Sequence, residues 1–157
     1  MQRPDYSSFE DVLKQHGRIV YPNQGKSMLP LLREGRDLAV IDPRPTDRNG
    51  RPLRLRKYDT VLYKSGEKYI LHRILKVLPQ GYVTCGDNNY FREYGIKDDQ
   101  IIGVLAGVVR NGVEMPVSDR KYRIYVHLWC DLFPIRAGIL WARMILCRIK
   151  SKLFHKK

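Results

Sequence analysis

The sequence predicts a mostly β domain with a short N-terminal helix and basic helices at its C-terminal end. Short β-branched and aromatic runs recur up to about residue 118, separated by glycine, proline and asparagine, which is typical of an antiparallel β domain. From Lys121 onward the chain is rich in leucine, isoleucine, tryptophan and arginine, and Pro134 separates two predicted helices. We therefore divide the 157 residues into a β-rich unit, 1–120, and a basic helical segment, 121–157.

The elements predicted for the β-rich unit follow one another in a regular order. Two serines precede an apolar run with acidic residues in its first turn, and a glycine follows it, which predicts a helix over residues 8–16. Residues 42–57, with their prolines and charges, are expected to form a solvated loop or an irregular hairpin, and residues 86–97 a turn and polar loop. Asn111-Gly112 favours a hairpin. The predicted strands are 18–21, 37–41, 60–63, 69–77, 82–85, 101–109 and 113–117.

The net charge of +13 points to an anionic partner. Residues 121–157 hold nine Lys or Arg and one acidic residue, a net charge of +8, and Arg136 and Arg143 lie seven residues apart on one stripe. One interpretation is an interfacial helix on anionic lipid, with Trp129 and Trp141 at headgroup level. The alternative is a helical cap on the β domain with a solvated basic end. The chain carries no nucleic-acid-binding motif, so nucleic acid is an unfavoured partner.

The cysteines and the N-terminal sequence indicate which stabilising sites and which targeting segments are not expected. The three cysteines are odd in number and widely spaced, which predicts neither a disulfide framework nor a zinc site. No metal or cofactor is therefore expected. The first residues contain no apolar run, so we expect no signal peptide and no N-terminal membrane anchor.

The candidate nucleophile is Ser27, within the segment Gly25-Lys26-Ser27-Met28-Leu29-Pro30. A serine hydroxyl is a poor nucleophile unless a base lies within hydrogen-bond reach and donors await the developing oxyanion. Gly25 removes a Cβ from the approach to the hydroxyl, and Pro30 biases the residue before it towards an extended or turn conformation. Met28 is expected to be an apolar plug that holds the turn against the core.

The candidate base is His72, on the predicted strand 69–77. Alternation along that strand places His72 on one face with Ile70 and Ile74. A histidine with a pKa of about 6.5 is mostly neutral near pH 7, so it can accept the serine proton and return it to the leaving amine. A nearby aspartate would hold the imidazole in one tautomer and stabilise the imidazolium. Asp87 is the candidate, although a turn-forming role is the alternative for an aspartate before two asparagines.

The order of these motifs resembles the signal peptidase I family, over about residues 18–110. The Ser27 turn is followed by Tyr58-Asp59-Thr60-Val61-Leu62-Tyr63, by Leu71-His72-Arg73-Ile74 and by Gly86-Asp87-Asn88-Asn89, and then by a glycine-bearing apolar strand. The resemblance implies a β-rich serine endopeptidase that cleaves leader or signal-like peptides, with small residues near the cleaved bond. It implies that Ser27 is the nucleophile. His72 replaces the lysine base of most bacterial members, as in the endoplasmic-reticulum and archaeal branch, and Asp87 matches the family's aspartate.

Three features depart from that family's pattern. The family's N-terminal transmembrane anchor has no counterpart, so we expect a peripheral protein on the cytoplasmic membrane face, attached through residues 121–157. The glycine-aspartate pair that commonly precedes the second core strand stands here as Lys57-Tyr58-Asp59. The second acidic residue of the Ser–His branch has Glu93 as its nearest candidate, with Asp98 and Asp99 more distant.

The oxyanion hole of the predicted site also differs, because Gly25 stands where some members of the family supply a hydroxyl. With glycine there, the hole is expected to consist mainly of main-chain N–H groups near Ser27. The turn formed by Gly25, Ser27, Met28 and Pro30 is expected to hold the oxyanion and to bind the substrate.

Two further functions are compatible with the same motifs. If Ser27 and His72 do not meet, the domain is an inactive relative that binds peptide or membrane as an adaptor. A self-cleaving repressor-type regulator is disfavoured, because the 24 residues before Gly25 are too few for a DNA-binding domain and a cleavable linker.

Overall fold

Eight antiparallel strands form one sheet in a computed structural model, which describes residues 8–154 and the side chains of residues 8–148. The sheet order is β1-β2-β7-β3-β4-β5-β6, and β8 pairs with β7. This confirms the predicted fold class of a mostly β protein with a short N-terminal helix and C-terminal helices. The strands are β1 Ile19–Pro22, β2 Asp37–Pro43, β3 Thr60–Ser65, β4 Lys68–Leu78, β5 Gly81–Cys85, β6 Glu93–Ile96, β7 Ile101–Arg110 and β8 Val113–Pro116. The helices are α1 Phe9–His16, α2 Arg120–Asp131 and α3 Phe133–Phe154, with a 3₁₀ turn at Asp98–Gln100.

The first helix has the caps that its sequence predicts. The Ser8 side chain accepts a hydrogen bond from the main-chain N–H of Asp11 at 3.2 Å. At the other end, Gly17 adopts a left-handed conformation and its N–H donates to the carbonyl oxygen of Leu13 at 2.8 Å. The prediction of a helix over residues 8–16 is thus confirmed, while Ser7 lies outside the described residues.

Two apolar clusters lie on the two faces of the sheet. Leu62 of β3 belongs to the first cluster, whereas its neighbours Val61 and Tyr63 belong to the second, as the alternation of a strand requires. The first cluster also contains Met28 from the predicted catalytic turn, which is fully buried. Met28 is therefore the apolar plug that the sequence predicts. The side that carries Tyr63 is also the side on which His72 lies.

Helix α2 packs its inner face on the sheet. Its buried residues Tyr122, Val126 and Cys130 belong to the same cluster as Met28. The interpretation of this segment as a helical cap is therefore correct for the inner face of α2. None of the helices within residues 8–154 combines the length and apolar character needed to cross a bilayer.

Two boundaries differ from the prediction. The break between the helices lies at Leu132, and Pro134 sits in the first turn of α3, where a residue without an N–H is tolerated. The expected polar loop 86–97 contains the edge strand β6, which pairs with β5. Because only Ile96 of that strand is buried, its sequence shows no alternation that would identify it.

Candidate active site

The Ser27 turn connects β1 to β2 and is anchored from both sides. The buried Met28 side chain fixes it to the core, and the carbonyl oxygen of Ser27 accepts a hydrogen bond from the N–H of Asn88 at 2.7 Å. Gly25 has φ of +82°, a left-handed conformation that favours glycine. The turn therefore reaches the Gly86–Asn89 segment through its main chain.

His72 is buried in the middle of β4, and its Nδ1 faces a carboxylate. Nδ1 lies 3.3 Å from Oε2 of Glu93, a residue at the start of β6. The Tyr63 hydroxyl donates to the same Glu93 oxygen and lies 3.3 Å from Nδ1. Since the carboxylate can only accept, Nδ1 bears the proton and the lone pair of the neutral ring is on Nε2. This is the tautomer that a general base requires.

Gly86 lies where the Ser27 turn and Nε2 of His72 converge. A Cβ at Gly86 would be 2.6 Å from the carbonyl oxygen of Ser27 and 3.0 Å from Nε2, both shorter than ordinary contacts. Within residues 8–148, neither the Ser27 hydroxyl nor Nε2 has a hydrogen-bond partner. The main chain of Ser27 and the His72 ring thus approach the same glycine, and the Ser27 hydroxyl and Nε2 make no hydrogen bond within these residues.

A groove of about 690 Å³ passes over this junction. It lies between the end of β1 and the first half of β4, and both Ser27 and His72 line it. Of the four turn residues expected to bind substrate, only Ser27 lines the groove. Met28 is buried beneath it, and Gly25 and Pro30 are exposed outside it.

Asp87 does not make the contact with His72 that the prediction considered. Its carboxylate receives two hydrogen bonds from Arg73, at 2.9 and 2.7 Å, and a third from the hydroxyl of Tyr125 at 2.8 Å. Arg73 and Asp87 are both buried. The carboxylate that contacts His72 is therefore that of Glu93, whereas Asp87 forms a buried ion pair with Arg73.

Burial and charge together set the protonation of His72. Burial is the largest effect and lowers the pKa of His72 below its ordinary value of 6.5, while the charge and hydrogen bond of Glu93 and the charge of Asp87 raise it. Because the balance is a lowered pKa, the imidazole is neutral at pH 7. A neutral imidazole is the protonation state that a general base requires.

Main-chain donors for an oxyanion are available in the turn. Among the described residues, no acceptor faces the N–H of Ser27 or that of Met28. The Asn23 side chain donates to the carbonyl oxygen of Gly25 at 3.2 Å and holds the preceding peptide in place. The oxyanion hole of main-chain groups stays a prediction, and these two N–H groups are its candidates.

The thiol of Cys85 lies close to the site but is a poor alternative nucleophile. Its Sγ donates to the carbonyl oxygen of Phe91 at 3.0 Å. Burial raises the pKa of the Cys85 thiol to about 11, so the thiolate is scarce at pH 7. Ser27 is therefore the better candidate.

Comparison with protein-family models, with curated proteins and with solved structures finds no match to this chain.

Several residues that shape the site come from the C-terminal helices, which sequence reasoning did not connect to it. The Trp129 indole donates to the carbonyl oxygen of Asp87 at 2.6 Å, and the guanidinium of Arg136 contacts the same oxygen. Arg136 is buried, so it does not share an exposed basic stripe with Arg143. No local pattern marks these contacts, because the partners lie about forty or more residues apart.

Proposed function

We propose that this protein is a serine endopeptidase of the signal peptidase I type, with Ser27 as nucleophile, His72 as general base and Glu93 as the orienting carboxylate. The observation that carries the proposal is the junction at Gly86. There the Nε2 atom of His72 meets the Ser27 turn while Nδ1 is held by Glu93. The resemblance of the motif order to that family agrees with this arrangement.

The reaction uses each of these groups in turn. Nε2 of His72 takes the proton of the Ser27 hydroxyl as Oγ attacks the carbonyl carbon of the scissile peptide bond. Glu93 stabilises the imidazolium, and the N–H groups of Ser27 and Met28 bind the oxyanion. Collapse of the tetrahedral intermediate breaks the C–N bond, and the imidazolium gives its proton to the leaving amine. Water, deprotonated by His72, then hydrolyses the acyl-serine ester and releases the second peptide.

The substrate is an extended peptide in the groove beside β1. Since β1 is an edge strand of the sheet, its outer main-chain groups can pair with a peptide, as in β-strand addition. The resemblance adds that the peptide is leader-like or signal-like, with small residues near the cleaved bond.

Labelling with a serine-reactive acylating probe tests the proposal. We expect one labelled site in the wild type and none in Ser27→Ala or His72→Ala, because acylation needs both the hydroxyl and its base. Ser65→Ala is the matched control, since Ser65 lies exposed at the end of β3 and should leave labelling unchanged. Labelling that survives Ser27→Ala would disprove the role of Ser27. A folded wild type that is never labelled would favour the inactive adaptor.

The pH dependence tests the role of Glu93. In Glu93→Gln the negative charge that raises the pKa of His72 is lost, so that pKa falls further. Because the neutral imidazole is the active form, the acid limb of kcat/KM should shift to lower pH. The plateau should fall by about 10²-fold or more, the scale of general acid–base catalysis, as the imidazolium loses its partner. The measurement is the pH profile of peptide cleavage or of probe acylation.

The control for this profile is Glu67→Gln, at an exposed position in the turn between β3 and β4. This substitution removes one negative charge, as Glu93→Gln does, and it should leave both the acid limb and the plateau of kcat/KM unchanged. An acid limb that stays fixed in Glu93→Gln would show that Glu93 does not act on the base.

A further inference from the structure

The two C-terminal helices expose a continuous set of large apolar side chains, here called the outer face. Successive members are three or four residues apart up to Ile139, and Leu146 follows after two further turns, so they lie on one side of each helix. Each member is between 49 and 63% exposed. The outer face consists of Ile124 and Leu128 of α2, Leu132 between the helices, and Ile135, Ile139 and Leu146 of α3.

The opposite sides of the same helices are occupied by the domain. Val126 and Cys130 of α2 pack in the core, and Phe133 and Arg136 of α3 are buried. Farther along α3, Met144 accepts a hydrogen bond from the Tyr90 hydroxyl at 3.4 Å. The outer face therefore points away from the sheet and has no partner among the described residues.

The charges around the outer face are predominantly positive. Lys121 of α2 and Arg143 of α3 are exposed and flank the apolar side of their helices in the helical projection. Asp131, the one acidic residue of the segment from 121 onward, is engaged by the Tyr58 hydroxyl at 2.7 Å and by Lys57 at 3.5 Å. A second copy of the chain would bring the same positive charges together, which disfavours self-association through this face.

We propose that the outer face binds the surface of an anionic lipid bilayer, with α3 lying in the plane of the interface. The apolar side chains would enter the boundary between headgroups and acyl chains, and the flanking Lys121 and Arg143 would contact lipid phosphates. Trp141 is half-exposed but lies on another side of α3 in the helical projection, so it is not part of this contact. This inference does not depend on the proposed catalytic activity.

Vesicle co-sedimentation of the full chain tests the inference. We expect binding to vesicles that contain phosphatidylglycerol and little binding to vesicles of phosphatidylcholine alone. Ile139→Glu/Leu146→Glu should abolish binding, because each substitution places a negative charge among the apolar side chains of the outer face. Lys121→Ala/Arg143→Ala should weaken binding about tenfold or more, since each basic residue near an anionic surface contributes roughly fivefold to the partition constant. The control is Val113→Glu, at an exposed apolar residue of β8.

Two outcomes would overturn the inference. Equal binding of wild type and Ile139→Glu/Leu146→Glu would show that the outer face is not the contact. A concentration-dependent dimer in light scattering that this double variant dissociates, without vesicle binding by the wild type, would assign the face to a second copy. Labelling of Ser27 should be the same in all variants, so that a failure here is distinguishable from a failure of the proposed activity.

Discussion

Replacing Asp87 with alanine is expected to lower the free energy of unfolding by about 3–5 kcal/mol, the usual cost of breaking a buried ion pair from one side. Arg73 is 0% exposed and would remain charged without its partner, because a guanidinium is not deprotonated in proteins. The hydroxyl of Tyr125 would lose its acceptor as well. Chemical denaturation followed by circular dichroism measures the change.

A second buried aspartate of the chain provides the control. Asp37 pairs with Arg36 and Arg110, whose side chains are 35 and 40% exposed, so water can solvate both arginines when the carboxylate is removed. Asp37→Ala should therefore cost clearly less than Asp87→Ala. Equal losses would mean that burial of the arginine does not determine the effect.

Replacing Gly86 with alanine is expected to lower kcat/KM by about 10²-fold or more, the scale on which a misplacement of 1 Å affects catalysis. The added Cβ would meet the carbonyl oxygen of Ser27 and Nε2 of His72. It would also lie 2.8 Å from the side-chain amide nitrogen of Asn89. The nearest of these atoms is main chain, so the Ser27 turn itself must move. The measurement is the acylation rate of Ser27, with circular dichroism to confirm that the variant is folded.

Gly138→Ala is the matched control for that variant. Gly138 lies in α3, and a Cβ there would meet nothing within 4 Å. Alanine should be tolerated and should raise helix stability slightly. An acylation rate in Gly86→Ala equal to that of the wild type would show that the close approach at Gly86 is not needed for catalysis.

Local patterns in the sequence identified most of the fold. Alternation, turn residues and caps predicted seven of the eight strands and the first helix, because each of these signals is local. The same reasoning placed Ser27 in a connecting turn and His72 on a strand. This reasoning did not predict the short strand β6, and for that reason it did not predict the position of Glu93.

Asp87 shows why adjacency in a motif does not determine a side chain's partner. His72 and Arg73 are consecutive on β4 and point to opposite faces of the sheet. Asp87 reaches the face of Arg73, and Glu93 reaches the face of His72. Which carboxylate meets which face depends on the path of the chain after β5, and no spacing rule predicts that path.

The position of α2 determines how much of the chain is needed for independent folding. Tyr122, Val126 and Cys130 complete the same core cluster as Met28, and Trp129 holds the main chain at Asp87. A fragment ending at residue 120 would expose that cluster to water, so it is not a smaller version of the folded protein. The sheet and α2 should instead melt together in a single cooperative transition.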